Sequence, residues 1–221
     1  AELPSEARPD RDDRLTPIRP ALDLAAGGDL LRDSYGSFFY LRQENDEEAI
    51  SLTASPAPGR HWRYEARFMA DRVQFDAQGG NLASTITVLV SPEDDTELRM
   101  VNLHNTGRTE MRCELVASFE VVLAPQRADE AHPAFSNLFI TTRWHERWRA
   151  LTFSRKARLA GDKVMAAAHM LASADADVLS VGCITDRRAF QGRNRSSHNP
   201  LLGEQPLQAD GTPGNGLDPV A

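Results

Sequence analysis

The sequence is poor in the residues that build metal and redox centres. Only two cysteines, Cys113 and Cys183, occur among 221 residues. The six histidines are scattered without HExxH spacing, and no CxxC pair is present, so neither a zinc site nor a disulfide framework is expected. Two thiols in an otherwise cysteine-free chain are expected to be buried and reduced, which points to the cytoplasm. A cationic excess is missing as well: 25 Lys and Arg stand against 32 Asp and Glu, a net charge of −7. That excludes an obvious nucleic-acid binder, because phosphate binding needs a concentrated positive footprint. No apolar run approaches the roughly 18 residues that span a bilayer. The N-terminal AELPSEARPDRDDR lacks the apolar core of a signal peptide, so a soluble chain is expected. P-loop, Rossmann and Ser-His-Asp signatures are absent, and no cofactor is expected.

What is present is an ordinary globular composition, 41% hydrophobic and 26% charged. A chain of this length buries about 70% of its unfolded surface and is stable without a disulfide or metal. Residues 1–33, rich in proline and charge, read as a linker that is flexible or partly ordered, in which Gly27-Gly28 interrupts a short helical run at Ala21–Leu31. Residues 201–221, with Gly203, Pro206, Gly211, Pro213, Gly214 and Gly216, read as a loop-rich exit. Between them, residues 34–200 are dominated by a period of two. Cys113, Leu115, Ala117, Phe119, Val121 and Leu123 alternate with mostly polar neighbours, which sets one row of side chains on a core. Leu82–Val90 and Leu98–Leu103 are joined by the turn at Ser91–Asp95. Further strands are predicted at Ser37–Arg42, Ala49–Thr53, Tyr64–Phe68, Arg72–Asp76, Leu138–Trp144, Ala150–Ser154 and Val178–Ile184. The run VMAAAHML at Val164–Leu171 favours helix by propensity. Its shortness and the surrounding β pattern assign it to a strand buried on both faces. Many strands with short turns and scarcely a helix predict an all-β fold, an antiparallel sandwich.

One stretch is more specific than any pattern. Glu120–Phe139 reads EVVLAPQRADEAHPAFSNLF, a strand, a proline turn, a charged loop and a His-Pro-Ala-Phe corner. Upstream lie Tyr35-Gly36-Ser37-Phe38-Phe39-Tyr40-Leu41-Arg42 and Val90-Ser91-Pro92-Glu93-Asp94-Asp95 followed by Glu97-Leu98-Arg99. Downstream lies Thr185-Asp186-Arg187-Arg188-Ala189-Phe190-Gln191-Gly192-Arg193. In this order the blocks resemble the β-sandwich domain of cyclic β-1,2-glucan synthases and inverting glycoside phosphorylases of the cellobiose and chitobiose type. Gln43 replaces that family's usual acid, and Ile50-Ser51 replaces a tryptophan-serine element.

The resemblance implies a large two-sheet supersandwich of the galactose-mutarotase-like type. It further implies a partner, a helical α/α barrel holding the catalytic acid, in an enzyme that handles β-glucan oligosaccharide and phosphate, commonly as a homodimer. In cyclic glucan synthases such a parent is associated with the inner membrane. On that reading this chain is a non-catalytic glycosyltransferase or phosphorylase domain, inactive alone, which shapes the barrel's substrate site.

Six residues stand as candidate substrate-binding groups, and no catalytic residue is expected. Arg187, Arg188, Arg193 and Arg195 form the densest cationic cluster, suited to holding phosphate or sugar hydroxyls through paired hydrogen bonds. Read structurally, they are a solvated loop paired with Asp186 or the barrel. His132, before Pro133, is either a polar contact at the barrel boundary or a corner histidine satisfying backbone groups. Trp148, with Trp144 in an arginine-rich stretch, is either a sugar-stacking edge or a packing residue, and Trp62 shares that ambiguity. The acid runs Asp46-Glu47-Glu48 and Glu93-Asp94-Asp95 sit in turns and read as solvated. Two other functions remain open: a stand-alone carbohydrate-binding module, and a mutarotase-like sugar epimerase, which needs a histidine and a glutamate in one cleft.

Overall fold

A computed structural model describes residues 16–18, 37–44, 46, 48–125, 138–157, 161, 164–173 and 177–201. The interrupted helical run at Ala21–Leu31, His132 and nearly all of the 201–221 exit lie outside them.

The described chain is built almost wholly of antiparallel strands. β1 (Thr16–Ile18) lies within the expected linker and pairs with β9 (Val121–Ala124). β2 (Ser37–Gln43) lies between β3 (Ile50–Ser51) and β8 (Cys113–Phe119) in a three-stranded sheet. β4 (Arg63–Phe68), β5 (Val73–Gly79), β6 (Leu82–Val90) and β7 (Glu97–Asn105) form a four-stranded meander in chain order. β10 (Ile140–His145), β11 (Ala150–Arg155) and β12 (Met165–Met170) form a third meander.

Strand β2 explains how the layers stack. Its residues Ser37–Leu41 are all buried, because side chains of alternating direction both find apolar cover. Phe39 and Leu41 face Leu82, Ile86, Phe75 and Val101 of the four-stranded sheet. Phe38 and Tyr40 face the other way, against Ala57 of the loop after β3 and against Ile184 and Phe190 from the C-terminal return of the chain. Phe119, Val121 and Leu123 carry the core onward to Ile140, Leu151 and Phe153 of the third meander. Phe119 and Phe153 meet edge to face, with ring centroids 5.7 Å apart.

Trp62 belongs to this core. It packs in the cluster between the first two sheets and stacks on Tyr64. Gly79 is required there, since a Cβ would lie 2.5 Å from the indole ring.

Three expectations differ from the structure. Val178–Ile184 runs outside every described sheet: Leu179 and Ser180 are exposed, while Cys183 and Ile184 pack on core clusters formed by other segments. The Val164–Leu171 run does contain a strand, but β12 is an edge strand exposed on alternate residues, not buried on both faces. Cys183 packs on a core cluster, but Cys113 is exposed because it opens β8 at the sheet's end, opposite Gln43. Both thiols are free, and partial burial pushes both above the ordinary cysteine range, away from the reactive thiolate. No helix among the described residues is long and apolar enough to cross a membrane.

Candidate functional site

The arginine cluster is divided by the structure. Arg187 and Arg188 open a short helix, α1 (Arg187–Gln191), where the sequence suggested a loop. The Asp186 side chain accepts the Ala189 backbone N–H at 3.2 Å and so caps this turn. Arg187 reaches back across the fold: its Nη2 donates to Glu120 Oε2 at 2.5 Å. Both side chains are largely buried, 20% and 14% exposed, so this guanidinium is committed within the domain. Asp186 thus serves as a helix cap, and Glu120 is an ion partner of Arg187. Arg193 and Arg195 lie beyond the helix in an exposed corner made by Gly192 and Asn194, both at positive φ. The strip that carries them is pinned on the Tyr40 face of the sandwich. The Tyr40 hydroxyl donates to the Ser197 carbonyl at 2.7 Å, and His198 Nδ1 lies 2.6 Å from the Pro56 carbonyl.

Trp148 lies elsewhere, at the tip of the β10–β11 hairpin. Residues Glu146–Trp148 form a single 3-10 turn, which ends at Arg149 in the left-handed region. The Trp148 ring is 61% exposed and lies 5.5 Å from the His145 ring, whose Nε2 is 3.0 Å from Thr152 Oγ1. Beside this turn is a cleft of about 190 Å³ lined by Trp144, Glu146, Arg149 and the strip Val178–Val181. Arg187, Arg193 and Arg195 are not among its described lining residues. Of the six candidates the structure therefore describes five. It places four on the C-terminal strip and Trp148 on the hairpin tip.

The acid run Glu93–Asp95 is exposed, and Ser91 Oγ accepts the N–H groups of Glu93 and Asp94. It is a capped turn. Sequence reasoning missed Glu120 as the partner of Arg187 and missed Glu146, Arg149 and Val178–Val181 as cleft walls. Only the HERWR run at the hairpin tip was a usable signal for the last group.

The architecture and the sequence blocks define a class, an all-β supersandwich domain of a carbohydrate-active family. The model of the glycosyl hydrolase 94 supersandwich domain matches residues 9–221, and the chain belongs to that family. A relative is the protein named cyclic beta-(1,2)-glucan synthase NdvB from Rhizobium meliloti (strain 1021), 32% identical over 194 residues. The alignment covers 87% of this chain but only 7% of that relative's length.

Proposed function

We propose that this chain is the non-catalytic sandwich of a much larger enzyme that builds or trims β-glucan. In that enzyme it packs on a helical catalytic barrel and shapes one side of the barrel's substrate site. The observation that carries this reading is the alignment itself: nearly the whole chain corresponds to one small module of a far longer glucan synthase. The geometry supports it. Much of the polar equipment of the described residues is engaged in holding layers together, as with Arg187 on Glu120 and Tyr40 on Ser197. The exposed corner at Arg193 and Arg195 follows directly on that pinned strip. In this reading it faces the barrel, where the arginines meet sugar hydroxyls or phosphate. Residues 34–200 are the sandwich proper, and the parent works at the cytoplasmic side of the inner membrane.

The test compares the isolated chain with a longer polypeptide that includes the downstream barrel. Phosphate-dependent cleavage of β-1,2-glucan is expected only from the longer polypeptide, and Arg193→Ala in that context should lower turnover. Activity of the isolated chain, or a downstream sequence without helical-barrel pattern, would overturn the reading.

A further inference from the structure

We propose that the cleft beside the β10–β11 hairpin tip is a saccharide subsite for a single neutral sugar ring. Its size is the first argument. At about 190 Å³ it is smaller than the roughly 300–1,000 Å³ of a site for a drug-sized ligand, so it takes one ring.

Its chemistry is the second. A pyranose presents apolar C–H faces and a belt of hydroxyls that both donate and accept. The cleft offers both kinds of surface, with polar groups predominating. Trp144, Val178, Leu179 and Val181 contribute apolar edges, while Glu146 supplies an acceptor and Arg149 a forked donor. These two charges cancel across the cleft. A doubly charged phosphate would gain from Arg149 but be repelled by Glu146, whereas a neutral diol uses both.

A further feature points the same way. Trp148 stands on the same turn as Glu146 and Arg149 with its ring 61% exposed, and Leu179 on the facing strip is 78% exposed. Large apolar groups left in water beside a polar cleft are characteristic of a ligand-binding rim. The turn holds this arrangement rigidly, because the Arg149 N–H donates to the Glu146 carbonyl at 3.0 Å.

The test is a two-dimensional amide and indole NMR titration of the whole chain with methyl β-D-glucopyranoside, with glucose 1-phosphate as the charged comparison. Saturable shifts are expected at the Trp144 and Trp148 indole N–H groups, at residues 146–149 and at residues 178–181. Glu146→Gln should weaken the apparent Kd about tenfold, and Trp148→Ala at least fivefold. Both variants should keep the parent melting temperature within a few degrees, since both positions lie on the surface turn. Absence of saturable shifts at 50 mM sugar overturns the proposal. So does tighter binding of the phosphate ester than of the neutral glycoside, or binding indifferent to both substitutions. These outcomes are independent of the barrel assay above, which reads turnover in the longer polypeptide.

Discussion

Tyr40 donates its hydroxyl to the carbonyl of Ser197 at 2.7 Å, joining residues 157 positions apart in the chain. The phenol is buried among Phe38, Ala57 and Phe190, and this burial holds its pKa far above the ordinary tyrosine value. One hydrogen bond inside an apolar cluster thus fastens the C-terminal strip, with α1 and the arginine corner, to the centre of the sandwich.

Tyr40→Phe should lower stability by about 1–1.5 kcal/mol, because the Ser197 carbonyl is then left unpaired in a buried place. For a domain of this size that is a fall of about 2–6 °C in melting temperature by calorimetry. Limited proteolysis should also cut sooner within residues 184–201. An unchanged cleavage pattern would show that the strip is held by other contacts.

The Arg187–Glu120 pair is testable by a double-mutant cycle. Arg187→Ala and Glu120→Ala should each destabilise by about 1–3 kcal/mol, since each leaves a largely buried partner charge. The double mutant should be less destabilised than the sum, with a coupling of roughly 1 kcal/mol. Strict additivity would remove the pair as a stabilising contact.

His169 on β12 packs against Phe119, with ring centroids 4.9 Å apart. Burial first, and then the Arg99 guanidinium, hold its pKa below the usual 6.5. Arg99, on β7, itself bonds Ser37 and Glu97. A folded-state pKa below the unfolded value means that the unfolded chain binds the proton more readily. The His169 contribution is therefore fully present above about pH 6.5 and is lost as pH falls through the folded pKa. His169→Leu should flatten the decline in melting temperature between pH 7 and pH 5. A parallel decline in parent and variant would refute this role.

Core and surface leucines should separate cleanly. Leu41→Ala removes a side chain 1% exposed between two sheets and should cost about 2–5 kcal/mol. Leu179→Ala, at a position 78% exposed, should stay within about 0.5 kcal/mol. Gly79→Ala should cost about 1–3 kcal/mol, because the Trp62 ring must give way to the new Cβ. Urea unfolding measures all three.

The strands were legible because they are written locally. In Leu82–Val90, alternation and β-branched residues state both the element and its buried face, whereas in Cys113–Phe119 they state the element only, since Cys113 and Leu115 of the expected core row are exposed and burial is complete only at Ser118 and Phe119. Val178–Ile184 carries the same apolar signal and forms no strand. A short apolar run does not say how it will be used, and here Cys183 and Ile184 pack on core clusters without pairing in a sheet. The candidate site was less legible still. The arginines were visible as a cluster, but nothing near Arg187 in the chain names Glu120, 67 residues away.

The sequence by itself determined the sandwich class, the order of most strands and the kinship with a sugar-processing family, since patterning and motif blocks are properties of contiguous residues. Only the tertiary structure decided which polar groups are used up inside the fold and which face outward. It turned Arg187 inward to Glu120 and left Trp148 exposed beside a small cleft, because partners and exposure are fixed by how distant segments pack.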